Sequence, residues 1–232
     1  MIKAIRFLPL SFMLVGSSLF AQETGEDKLG AWWMYFGTTK ISEKLSIHSE
    51  LQLRMYEPVS TFNQLLPRVG LNYHINGSAM ATAGYAYIPT ESYEKGNALS
   101  SSKENRIWEQ FIMRNAVGRF SFEHRYRLEQ RWISSNGNTR YRDRVRYRLM
   151  ITVPLSKPTM EDKTVFLAVY DELFVNIDNS PFDQNRLYGA LGYRLNKNLS
   201  FQGGYLRHRL GALSYDRLQF GVFLNNSLVK TE

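Results

Sequence analysis

From residue 29 onward, apolar and polar side chains alternate with a period of two over long runs. The clearest example is 119–153. Arg119, Ser121, Glu123, Arg125, Arg127, Glu129 and Arg131 share one parity, and Phe120, Phe122, His124, Tyr126, Leu128, Gln130 and Trp132 share the other. After a polar turn, Arg140, Arg142, Arg144, Arg146 and Arg148 fall on one side. Tyr141, Val145, Tyr147, Leu149, Ile151 and Val153 fall on the other, with Asp143 the exception. A period of two predicts β-strands with one polar and one apolar face. These runs are longer than the about five to six residues of an ordinary globular strand. Long strands with an aromatic-rich apolar face and a charged face suit a membrane-spanning barrel.

The same pattern predicts strands over 29–39, 45–56, 63–74, 78–87, 104–115, 119–132, 140–153, 163–176, 185–195, 199–209 and 215–225. Pro67 inside the third run signals an edge or a bulge. Asp171 breaks an apolar face and suggests a bulge or a position at a water interface. Outward Arg207 and Arg209 call for a place at the level of lipid headgroups. Tight turns at 75–77 and 196–198 alternate with longer polar connections at 89–103 and 134–139. Single-chain bacterial barrels have an even strand number, so eleven readable runs point to about 12 strands, with 10 as the alternative. The expected fold is all-β: a closed antiparallel transmembrane β-barrel. A water-soluble sandwich or lipocalin-like barrel would show the same alternation with the faces reversed. Strand length, aromatic content and the alternation of connections favour the membrane.

Residues 1–21 predict a signal peptide: Lys3 and Arg6, a short apolar core over 7–15, then small residues up to Ala21. A polar linker (22–28), the outer-membrane β-barrel (29–226) and a C-terminal tail (227–232) complete the expected organisation. The implied location is the outer membrane of a Gram-negative bacterium. The expected partners are outer-membrane lipid and, during biogenesis, the barrel-assembly machinery. Past residue 21 no apolar run approaches the roughly 18 residues of a membrane helix.

Composition narrows the chemistry. Cysteine is absent, which excludes disulfides and thiolate sites. The formal charge is +8, and without Lys3 and Arg6 the chain keeps 27 basic against 21 acidic residues. These cations alternate with Tyr, Leu and Val along strands and form no Lys/Arg block, so nucleic acid is not an expected partner. Four scattered His residues make no metal-ligand spacing, and no cofactor is expected. His48, His74 and His208 fall on the lumen parity, and no Ser stands at a matching spacing to outward His124, so the chain is not read as an enzyme.

The lumen parity holds Arg54, Arg68, Arg119, Arg125, Arg127, Arg131, Arg140, Arg142, Arg144, Arg146 and Arg148 as candidate anion-binding residues. Arg106, Arg114, Arg186, Arg194 and Arg217 share that parity, against only Glu50, Glu123, Glu129 and Glu172. Guanidinium groups grip carboxylates and phosphates bidentately, and rings of Arg line anion-selective pores. Three readings follow. One is a narrow anion-selective pore, or a lumen binding small anionic solutes. The second is a structural barrel filled by Arg, Glu and Tyr, without transport. The third is an outer-membrane lipid hydrolase. Because the cations crowd two neighbouring strands, the stripe calls for an anion or for acids from the opposite wall.

Three segments carry a family resemblance: LGAWWMYFGTTKISEKLSIHSELQLR, LLPRVGLNYHINGSAMATAGYAY and the hairpin EHRYRLEQRW…RYRDRVRYRL. Over residues 29–226 the chain resembles the exported barrel proteins grouped as domain of unknown function 2490. The resemblance implies an outer-membrane β-barrel and assigns no functional residue. The chain ends LNNSLVKTE rather than in an aromatic residue, so Phe220 or Phe223 would serve in the closing strand.

Overall fold

The computed structural model describes residues 27–94, 97–177 and 181–229. The predicted signal peptide and most of the predicted linker lie outside these residues. Eleven strands follow one another around a single closed barrel: β1 (Gly30–Lys40), β2 (Leu45–Met55), β3 (Phe62–His74), β4 (Ala79–Glu94), β5 (Asn97–Val117), β6 (Phe120–Ser135), β7 (Asn138–Pro154), β8 (Thr164–Asn176), β9 (Phe182–Arg194), β10 (Leu199–Leu210) and β11 (Leu213–Ser227).

Where about 12 strands were expected, the described residues form eleven. The even count assumed that every neighbouring pair is antiparallel. In an up-and-down barrel an odd count makes the first and last strands run the same way. Closure here is accordingly a parallel ladder, from Gly30 beside Arg217 to Lys40 beside Ser227. Aromatic stacks brace this seam on both faces. Outside, Trp33 stacks on Phe220 at 4.5 Å; inside, Phe36 stacks on Phe223 at 4.9 Å. Phe220 and Phe223 thus both stand in the closing strand.

The connections also differ from expectation. Residues 89–94 and 97–103 are no loop. They continue β4 and β5 as paired strands, with Pro89 opposite Lys103 and Ser92 opposite Ser100. The turn at 134–139 tightens to Asn136-Gly137, whose φ angles of 50° and 77° suit the type I′ turn that matches strand twist. At the other end of the barrel, the Asn76 side-chain oxygen accepts from the Ser78 and Ala79 amides, and Asn196 does the same for Asn198 and Leu199. Long and short connections therefore do not alternate as predicted. Instead β4 to β7 outreach their neighbours at the Asn136-Gly137 end.

Pro67 stays in regular register with Leu51. The β3–β4 ladder is interrupted beside it, between Gln64 and Arg68. Asp171 sits on the outer face without a bulge; the bulge in β8 falls at Phe174/Val175.

The charged parity faces the lumen and the apolar parity faces out. Glu50, Arg68, Arg106, Arg127, Glu129, Arg144, Arg146 and Glu172 are buried, while Val69, Leu71, Leu187 and Leu191 are about half exposed. Polar side chains that break the outer face mostly satisfy one another. Asn185 donates to Asp171 at 2.5 Å, Gln130 to Glu109 at 3.2 Å and Arg207 to Asp216 at 2.5 Å. His124 meets the Tyr147 hydroxyl at 2.9 Å.

One interior packing feature is written in glycines. Gly70, Gly84 and Trp108 are cross-strand neighbours on β3, β4 and β5. Without side chains, the two glycines leave a niche that the fully buried Trp108 indole fills. A Cβ on Gly84 would stand 2.6 Å from the indole and would also strike the Val69 carbonyl oxygen. At Gly189, nothing lies within 4 Å of such a Cβ. Gly84→Ala is expected to cost about 1–3 kcal/mol by overpacking, read as a lower melting temperature in detergent, with Gly189→Ala close to wild type. Equal melting of the two variants would remove the niche from the account.

Candidate lumen site

The centre of the lumen is an ion-pair lattice built across β5 to β9. Its hub is Glu129, which is 0% exposed. Arg146 donates to Glu129 at 2.6 Å, Arg144 at 2.6 Å and 2.9 Å, and Arg106 at 3.2 Å. Arg144 also reaches Asp183 at 2.6 Å. Glu172 on β8 accepts from Arg146 at 2.7 Å and Arg125 at 2.6 Å. Glu104 takes Arg106 and Arg131, and Glu123 takes Arg148 at 2.5 Å.

Local sequence explains the lattice. Register sets Arg125 opposite Arg148 and Arg127 opposite Arg146, and like charges directly opposite are unfavourable. Long side chains escape by reaching along or across the ladder to an acid on the next strand, as Arg146 does to Glu129, or two strands away, as Arg125 does to Glu172. Acids from the opposite wall were one expectation for this stripe. The structure corrects it: except for Glu50, which takes Arg68 at 2.8 Å, the acids sit within the stripe or beside it.

The lattice divides the lumen. Toward the Asn136-Gly137 end the interior is solid. Tyr56, Leu66, Ile88, Phe174, Tyr188 and Leu206 are each at most 4% exposed, and the Tyr56 hydroxyl closes onto the Glu91 carbonyl. There Arg54 lies 4.0 Å over the Trp32 ring and donates to Gln52 and Gln64. At this rim, outside the strands, the Ser60 hydroxyl donates to Glu57 and, with Lys28 at 3.7 Å, holds that carboxyl below its usual range.

Toward the other end, a cavity of about 860 Å³ opens between the lattice and the turns at 75–78, 118–119 and 195–198. Its lining carries nine cations, Arg68, Arg114, Arg125, Arg127, Arg146, Arg148, Arg186, Arg194 and Lys197, against three carboxylates, Glu50, Glu123 and Glu172. Among the described residues, Arg68, Arg125, Arg127, Arg148 and Arg186 each keep one buried guanidinium nitrogen without a hydrogen-bond partner. No carboxylate lies within ion-pair distance of Arg186 among the described residues. Arg186 lies over the Trp32 and Phe174 rings at 4.7 Å and 4.5 Å and donates to Gln184.

Of the eleven candidate arginines, the cavity gathers five: Arg68, Arg125, Arg127, Arg146 and Arg148. Arg54, Arg131 and Arg144 are inward but lie on the packed side. Arg119 is corrected out of the lumen wall: it stands exposed in the turn after β5 and donates to the Pro154 and Lys157 carbonyls at 2.6 Å and 2.9 Å. Arg140 is exposed, and Arg142 lies beside it toward the β6–β7 hairpin tip, outside the cavity lining. Arg114, Arg186 and Arg194 had the right parity but were not among the eleven, because the stripe dominated the pattern. Lys197 lies in a turn, where parity gives no direction.

The structure also joins a Ser–His pair. His74 Nε2 lies 2.8 Å from the Ser46 hydroxyl oxygen, which accepts from Asn72 at 3.0 Å. Ser46 is fully buried, so this is a satisfied polar cluster and not an accessible nucleophile. Among the described residues, no group of three or more His, Asp or Glu side chains could hold a metal ion.

The barrel, its inward charges and its sequence together match one family. The family model described as "Protein of unknown function (DUF2490)" covers residues 29–219, and the chain belongs to that family. An uncharacterized protein of Methylorubrum extorquens is 24% identical over 217 residues, spanning 89% of each chain. No solved structure matches the chain.

Glu129→Gln would remove the charge that three buried guanidinium groups share. Breaking a buried ion pair from one side costs about 3–5 kcal/mol. The variant is expected to unfold at clearly lower temperature or denaturant than wild type, while Arg119→Gln at the rim stays within about 0.5 kcal/mol. A stable Glu129→Gln barrel would show that the lattice is not what holds the lumen.

Proposed function

We propose that this chain is an outer-membrane barrel whose lumen is a one-ended cup for a small anionic solute. The observation that carries the reading is the charge imbalance around the cavity, nine cations to three carboxylates. Uncompensated cations in a low-dielectric interior are costly, and an anion that can donate its charge to several guanidinium groups offsets that cost. A volume of about 860 Å³ falls in the range of small-molecule sites. The packed half beyond Glu129 supports a binding cup over a conducting pore. The membrane setting is supported by the apolar outer belt, the closed edge and the paired polar residues on the outer face.

Three measurements test this. The mature protein is expected in the outer-membrane fraction, with different gel mobility before and after boiling; recovery as a soluble periplasmic protein would overturn the membrane setting. Inorganic phosphate is expected to bind the barrel in neutral detergent. Arg125→Gln with Arg148→Gln should weaken that binding at least tenfold and Arg119→Gln should not; identical affinities in all three proteins would sink the cup. Planar bilayers are expected to stay electrically silent, and sustained anion-selective steps would restore the pore.

A further inference from the structure

The cup is not polar throughout. Between the arginine floor and the mouth, six side chains from six strands form an apolar collar: Phe36, Met80, Ile112, Met150, Phe166 and Phe223. Their placement follows from the strands. Phe36, Met150 and Phe223 each stand four residues mouthward of a floor residue, namely Trp32, Arg146 and Gln219. Phe36 and Phe223 are stacked, and the Phe166 ring lies over Gly192, where any Cβ would collide with it. Outside the collar, Arg114, Arg194 and Lys197 make a basic mouth.

A site meant for inorganic phosphate or an acidic sugar gains nothing from such a collar. Those ligands are hydrophilic on every side, and apolar walls would strip their water without replacing its hydrogen bonds. A ligand with one charged end and an apolar body fits both layers: its acid meets the arginines of the floor, and its body removes apolar surface from water at roughly 25 cal/mol per Å². Two of the six are methionines, whose flexible thioether chains adapt to bodies of differing shape. The basic mouth would draw the charged end in from solution.

The geometry points to an amphiphilic monoanion as the occupant: a carboxylate held by Arg125, Arg127 and Arg148, each of which keeps a guanidinium nitrogen without a hydrogen-bond partner, with an alkyl or aryl body in the collar. This rests on the anion-binding reading above and names its ligand class. The two sources share a chemistry, a straight-chain fatty acid or an aromatic acid, and the test separates them.

Calorimetric titrations of the barrel in neutral maltoside would use octanoate, 4-phenylbutyrate, acetate, inorganic phosphate and octanol. The Arg125→Gln plus Arg148→Gln protein in the same micelles subtracts partitioning into detergent. Octanoate or 4-phenylbutyrate is expected to bind at least tenfold more tightly than acetate, and the tighter of the two assigns the source. Met150→Gln should weaken that ligand at least threefold and leave phosphate unchanged. Should Met150→Gln fail to fold, the ratio of octanoate to acetate affinity in the wild-type barrel decides alone. Acetate binding as well as octanoate would overturn the amphiphile and leave the anion cup standing. Octanol matching octanoate would overturn the amphiphile, and no binding by any anion would overturn both.

Discussion

Everything inside this barrel depends on how a dry lumen accommodates guanidinium groups. Arg cannot shed its charge, so it needs carboxylates, amide oxygens or aromatic faces within reach. Glu129 is the point where that need is met most densely, with Arg106, Arg144 and Arg146 converging on one fully buried carboxylate. Glu172 repeats the arrangement one layer nearer the mouth, with Arg125 and Arg146. Because Arg146 binds both acids, the two layers are mechanically one. Side chains tied this way cannot swing aside independently, and the lattice becomes a wall across the lumen.

Aromatic rings cover guanidinium faces both where a carboxylate is also bound and where none is. Arg54 and Arg186 share the Trp32 ring, Arg68 and Arg127 flank Trp108, and Arg144, Arg146 and Arg186 surround Phe174. A ring face contributes about 0.5–2 kcal/mol toward a cation, less than a carboxylate in the same place. Arg54 and Arg186, which lie on rings without a carboxylate in ion-pair distance among the described residues, are thus the less fully compensated of the set. Position matters as much as strength. The Trp32 ring lines the open cup, whereas the carboxylates of Glu104, Glu129 and Asp183 lie outside its lining. Carboxylates thus compensate cations on both sides of the lattice, but around the cup they are fewer than the cations they face.

Much of this was legible from parity alone. Nearly every inward Arg and every outward Leu or Val lies where alternation put it, because one face of a closed sheet must be the inside. Parity failed where the pattern carries two polar faces. Residues 89–103 read as a loop because Ser, Thr and Glu follow one another there without an alternating apolar parity, while β4 and β5 in fact stay paired from Pro89–Lys103 to Ser92–Ser100. The strand number was raised to an even value by a rule that assumes antiparallel closure, and nothing in the sequence marks β1 and β11 as a parallel pair. The pairing of the arginine stripe was misjudged for a different reason. Glu123 and Glu129 were visible within the stripe, but which Arg each takes depends on cross-strand register, and register is a property of two strands at once. The glycine niche under Trp108 has the same origin: Gly70, Gly84 and Trp108 are far apart in the chain and adjacent only when three strands are laid side by side.

The asymmetry of the lumen carries the functional argument further than charge does. A through-pore needs compensation spread along its length, so that an ion meets no deep trap and no bare wall. Here the packed half holds apolar and aromatic side chains such as Leu66, Ile88, Phe174, Tyr188 and Leu206 with almost no exposure, and an ion crossing it would have to displace them together with the Glu129 lattice. The open half offers the reverse: exposed polar turns, an apolar collar, then cations in excess of acids. Entry and exit would then share one mouth. On the proposed reading, a solute that enters would leave by the same path, as in a receptor or a store rather than a conduit.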